Sequence, residues 1–103
     1  MNKLLLLMLL LICHYFADFV FQSDRMAYGK NRHNVNDVHW MHWLTSHAVV
    51  NGALIYFIIG CWYIALIEVI VHWTIDFMKC EKFINVEHDQ LLHIISKIIY
   101  IYL

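Results

Sequence analysis

The sequence predicts an all-α polytopic membrane protein, a bundle of about four transmembrane helices with the fourth at the short end for crossing. Three observations predict it. Of 103 residues, 62% are hydrophobic and only 15% charged, where a soluble domain carries about 25% charged residues. Mean hydropathy is +0.60, and the chain has no proline. Apolar runs of crossing length recur, separated by short polar stretches. The length leaves room for a single domain, residues 1–103. With a net charge of −1 and spaced lysines and arginines, there is no basic stripe with interleaved aromatics, which argues against nucleic acid as a partner.

Lys3 followed by Leu4 to Ile12 begins like a signal peptide, but Cys13-His14-Tyr15-Phe16 lacks the small-x-small cleavage pattern. Bulky Ile12 also argues against a lipoprotein site at Cys13. Leu4 to about Phe21 therefore reads as an uncleaved spanning helix. Residues 23–39 are polar, and Gly29, Asn34 and Asn36 suit a turn or irregular loop. A second span runs from Trp40 to Ile59, with Trp40 and Trp43 as interfacial anchors. As one helix, Leu44 to Met78 would extend about 50 Å against a hydrocarbon core of about 30 Å. A hairpin near Gly60-Cys61-Trp62 divides it, and the third span becomes Tyr63 to Met78. After a charged loop, residues 79–87, the fourth helix runs from Asp89 to Leu103, with Lys97 free to snorkel or to face a partner.

Arg25, Lys30, Arg32, Lys79 and Lys82 fall in loops 23–39 and 79–87. The bias of Lys and Arg toward the inner side puts both loops on the cytoplasmic face of an inner membrane, with both termini outside. Cys13, Cys61 and Cys80 are odd in number and have no C-x-x-C spacing, so they read as small buried hydrophobes.

Eight histidines in so short a chain are the unusual feature. His33, His39, His42 and His88 fall in loops or at interfaces, whereas His14, His47, His72 and His93 lie inside apolar segments. Three of these four have an aspartate at an offset of four: His14…Asp18, His72…Asp76 and Asp89…His93. On a helix that offset places both groups on one face, one turn apart. Measured from the loop ends of their helices, all four histidines sit roughly 8–11 Å deep. Asp18, Asp76 and Asp89 lie one turn nearer the loops, close to Gln22 and Gln90.

Imidazole with carboxylate is the ligand set of zinc, manganese or ferrous iron. The predicted divalent-metal ligands are His14, His47, His72, Asp89 and His93. Asp18 or Asp76 then acts as general base, Gln22 and Gln90 support the ligands, and Lys79 pairs with an anionic head group. The set exceeds one tetrahedral site, so two ions, or one ion with outer His–Asp pairs, are both open. Two other readings use the same residues: His–Asp hydrogen bonds that glue helices together, or a proton or ion relay that needs a homo-oligomer to form a path. Glu68, judged to lie toward the opposite face from the cluster, reads as an interhelical hydrogen-bonding partner.

The run His14-x-x-x-Asp18-Phe19-x-x-Gln22-Ser23-Asp24, then Leu44-x-x-His47, His72-x-x-Ile75-Asp76-x-x-Lys79 and Asp89-Gln90-x-x-His93 resembles the domain-of-unknown-function-3307 family, small membrane proteins of bacteria and phages. The resemblance covers nearly the whole chain and implies the architecture and the polar set, but no reaction. This chain departs at Asn51, where relatives often carry a further histidine. A looser similarity, in fold and ligands only, is to membrane-bound metal-dependent hydrolases, which implies a lipid-linked substrate. A non-catalytic membrane protein that binds a partner is the third class the sequence allows.

Overall fold

A computed structural model describes residues 2–103. Asn2 caps the first helix, its Oδ1 accepting from the Leu5 N–H at 2.8 Å. Leucine-rich α1 (Lys3–Tyr15) then continues without a break into a π-helical turn, Phe16–Val20, where the Phe21 N–H donates to the Phe16 carbonyl at 2.7 Å. Such wide turns are uncommon and are often found at functional sites. Ser23 caps a short helix α2 (Asp24–Gly29) through a 3.1 Å bond from the Met26 N–H. The polar stretch expected to be irregular thus contains one helix, started by a serine cap with an aspartate in the first turn, where it complements the helix dipole.

Helix α3 (Trp40–Ile59) ends at Gly60, which adopts φ +76°, a left-handed conformation that costs a glycine little. The chain turns there into α4 (Trp62–Cys80), placing the hairpin at the predicted position. Asn85 caps α5 (Val86–Tyr100), accepting from the His88 N–H at 2.8 Å. Among the described residues every regular element is a helix and none is a strand.

The bundle is 45 Å long and about half as wide, 23 × 22 Å. Its hairpin end is apolar inside, where Leu10, Ile55, Ile64 and Tyr100 pack with Leu6, Ile58 and Ile59. Its loop end is filled instead by histidines, carboxylates and lysines. Outside, the polarity reverses: Leu4, Phe19, Phe57, Ile70, Leu91 and Ile99 are exposed. Two segments, Lys3–Val20 and Trp40–Ile59, are long and apolar enough to cross a membrane. The other two predicted crossings do not meet that test on their own. Helix α4 carries Glu68, Asp76 and Lys79, and α5 has 15 residues, about 22 Å of helix.

Loops 23–39 and 79–87 are joined by Glu81, which pairs with Arg32 and His33. The His33 hydrogen bond, with Arg32 beside it, holds the Glu81 carboxyl below the ordinary carboxylate range. The tie is therefore complete at neutral pH and is lost only as pH falls through that lowered value. Gly29 lets α2 lie directly on Trp43 of α3; a Cβ there would sit 2.4 Å from the indole Cδ1. Gly29→Ala is expected to cost about 1–3 kcal/mol through overpacking. It should also shift tryptophan emission, both effects being read from melting in mild detergent.

Candidate metal centre

Five segments bring their polar side chains to one place at the loop end. Helix α1 supplies His14, and the π-helical turn that follows it supplies Asp18. Helix α3 supplies His47, α4 supplies His72 and Asp76, and α5 supplies Asp89 and His93. Lys30, just past α2, reaches in from the loop side, and Lys79 comes from the last turn of α4. The seven histidines and aspartates are all buried, none more than 7% exposed. The sequence expectation that the four histidines and three aspartates converge is met in full.

Asp18 lies at the centre. Its Oδ1 is 3.1 Å from His47 Nε2 and 3.3 Å from His72 Nε2. Its Oδ2 is 3.5 Å from His14 Nε2 and accepts from the Gln90 amide at 3.2 Å. Asp76 stands alongside, with Oδ2 at 3.3 and 3.6 Å from His47 and His72 Nε2, and Oδ1 at 3.6 Å from His93 Nε2. Asp89 Oδ1 is 3.4 Å from His93 Nε2. The rings of His72 and His93 stack with centroids 4.1 Å apart.

Gln90, Gln22 and Lys79 lie beside the cluster. Gln90 donates to Asp18 and to Asp89 Oδ2 (3.0 Å), which turns its Oε1 toward His14 Nε2 at 2.8 Å. Gln22 donates to the Asp18 carbonyl and accepts from Lys30 at 2.6 Å. Lys79 lies 3.7 Å from Asp76 Oδ1 and 3.8 Å from Asp89 Oδ2.

Whether this set suits a metal ion or only glues helices can be judged from its hydrogen bonds. A neutral imidazole nitrogen offers one proton or one lone pair. His72 Nε2, His93 Nε2, Asp76 Oδ1 and Asp89 Oδ1 are buried and make no hydrogen bond. Leaving each such group unpaired costs about 1–3 kcal/mol, so a cluster built for glue leaves too many donor atoms unused. A tetrahedral ion with ligands at about 2.0–2.1 Å requires neighbouring donor atoms roughly 3.3–3.4 Å apart; the contacts above span 3.1–3.6 Å. Three groups, His14/His72/His93, Asp18/His47/His72 and Asp18/Asp89/His93, are positioned to hold an ion.

Two parts of the site were not expected from the sequence. Lys30 is only 4% exposed and donates to Asp76 Oδ2 at 3.0 Å. Glu68 is not remote: its Oε2 lies 3.4 Å from His72 Nδ1, on the side of the ring away from the cluster. It is also the interhelical partner expected, accepting from Lys97 at 2.6 Å and from the Tyr100 hydroxyl at 2.9 Å. Standing behind the His72 imidazole, this carboxylate favours the tautomer with its proton on Nδ1 by charge rather than by a hydrogen bond.

A family model described as Protein of unknown function (DUF3307) matches residues 6–103. The chain belongs to this family. The match contains every residue of the cluster. No curated protein and no solved structure matches the chain. In this DUF3307 chain, Asn51 stands one turn beyond His47 and donates to the His47 carbonyl at 2.9 Å, so it steadies α3 at that point.

Proposed function

We propose that this chain is a multi-pass protein of the inner membrane and a metal-dependent hydrolase acting on a lipid-linked phosphate or ester at the cytoplasmic leaflet. The observation that carries the reading is the buried set of imidazoles and carboxylates, with His72 Nε2, His93 Nε2, Asp76 Oδ1 and Asp89 Oδ1 among its atoms left unpartnered. The membrane assignment is supported by the inverted polarity of the bundle, ionised groups within and large apolar side chains outside. Glu68, His72 and Asp76 all point inward and are 0% exposed, so the outer side of α4 presents Leu66, Ile67 and Ile70. Helices α4 and α5 thereby complete a bundle of four crossings, and the Lys/Arg-bearing loops face the cytoplasm.

His47, His72, His93, Asp18 and Asp89 would hold a divalent ion, which when bound would make water acidic enough to be deprotonated near neutral pH. Asp76 is fixed by Lys30 and contacted by three of those imidazoles, and it accepts the proton. The oxygen of a water deprotonated there would bond to the phosphorus or carbonyl carbon of the substrate. The bond to the leaving oxygen breaks, and the proton on Asp76 passes to that oxygen. Lys79, a quarter exposed at the rim, holds the anionic group.

The protein in detergent micelles is expected to hydrolyse a lipid phosphate or ester, to stop on chelation and to recover with added manganese or zinc. Activity that survives complete removal of metal, or a well-folded protein inert across both substrate classes, would contradict the reading. Glu68, which carries the polar line from His72 toward Lys97 and the middle of the bundle, favours a proton relay as the second reading. Under that reading proton flux across vesicles is found in place of hydrolysis.

A further inference from the structure

Two of the three ion-holding groups, Asp18/His47/His72 and Asp18/Asp89/His93, have only Asp18 in common. Building on the metal-dependent reading above, we infer that the centre is binuclear, with the Asp18 carboxylate bridging two divalent cations. One ion takes His47 and His72, the other Asp89 and His93. The two oxygens of Asp18 already belong to different neighbourhoods. Oδ1 meets the imidazoles of α3 and α4, while Oδ2 meets His14 and the Gln90 amide, which itself bonds Asp89. A carboxylate shared in this way holds its ions about 3.5–4 Å apart, the spacing of two-metal hydrolytic sites.

The remaining group, His14/His72/His93, offers a mononuclear alternative, and the hydrogen bonds disfavour it. The Gln90 amide nitrogen is committed to the carboxylates of Asp18 and Asp89, so its oxygen faces His14 Nε2. That contact requires the proton on His14 Nε2, which leaves this nitrogen no lone pair for an ion. The other Nε2 atoms face carboxylates at 3.1–3.6 Å, which can become co-ligands on metal binding. His14 is therefore a positioning residue for Asp18.

The Lys30 ammonium engages Asp76 Oδ2, and Asp76 belongs to none of the three ion-holding groups, so it is assigned as the base and not as a ligand. It remains beside both ions, next to His47 and His72 through Oδ2 and next to His93 through Oδ1. Each ion then has three protein ligands and an open position, the arrangement of catalytic rather than structural sites. A water held between the ions would lie within reach of the base.

The test is titration of metal-free protein in detergent with manganese(II) chloride, read by bound stoichiometry and by electron paramagnetic resonance. The parent is expected to bind two ions per chain with an exchange-coupled spectrum. His47→Ala and Asp89→Ala, one on each side of the bridge, should each keep one ion and lose the coupling. A parent that binds one uncoupled ion overturns the binuclear assignment and leaves the metal-dependent reading standing. A folded parent that binds none overturns both. Coupling retained in either variant also overturns the assignment.

Discussion

Replacing Glu68 with alanine should destabilise the folded chain by about 3–5 kcal/mol, the largest stability loss expected of any single substitution at this site. Lys97 is 1% exposed and its ammonium lies 2.6 Å from Glu68 Oε2. Removing the carboxylate leaves a buried cation without a counter-charge and the Tyr100 hydroxyl without its acceptor. The companion experiment separates charge from packing. In Glu68→Leu/Lys97→Met the ion pair is replaced by apolar side chains of similar size, a change that is often neutral or stabilising. Stability should return in the double variant while metal affinity stays 10–100-fold weaker, roughly the effect of losing a carboxylate behind a ligand histidine. Denaturant melting and metal titration on the same preparations read the two quantities. A cost below about 1 kcal/mol for Glu68→Ala would show that Lys97 finds another partner.

Asp18→Asn is expected to weaken metal binding by at least about 100-fold, since a shared ligand matters no less than its supporting shell. Its effect on stability should be small, within about 1 kcal/mol. The amide keeps the side-chain volume; its oxygen can accept from the Gln90 amide, and its nitrogen can donate to His47 Nε2 in the tautomer that carries the ring proton on Nδ1. It loses the negative charge that two cations share. If Asp18 merely held α3, α4 and α5 to the first helix, the same substitution would lower the melting point and there would be no metal affinity to lose. The split between affinity and stability therefore distinguishes a metal centre from helix glue, and equilibrium dialysis beside thermal melting measures it.

The site was largely legible in the sequence because a single rule covers it. Residues four apart share a helix face, and His14…Asp18, His72…Asp76 and Asp89…His93 each place an imidazole beside a carboxylate. Glu68…His72 obeys the same rule, and only the depth of Glu68 along α4, a turn farther from the loops, hides its contact with the cluster. Lys30 carried no such signal. It lies in a polar stretch without periodicity, and its place beside Asp76 depends on α2 folding back against Trp43, which a single glycine allows. The π-helical turn at Phe16–Val20 was invisible for a similar reason: its residues suit an ordinary helix.

The fold followed from apolar run length and from Gly60, and the helical class needed nothing more. The number of crossings is the harder matter. Polar residues that face inward lower the apparent hydrophobicity of α4, and α5 stops short of the usual length, so only two segments qualify on composition alone. Glu68, His72, Asp76, Asp89, His93 and Lys97 all turn to the interior, which supports the proposed four crossings.

Elemental analysis of the parent protein purified in mild detergent, beside a His72→Ala/Asp76→Ala variant of matched monodispersity, tests the metal centre most directly. Stoichiometric zinc, manganese or iron in the parent, reduced in the folded variant by the ion that His72 helps to hold, is the expected result. A metal-free parent that stays folded and takes up none of these ions when they are supplied would contradict it.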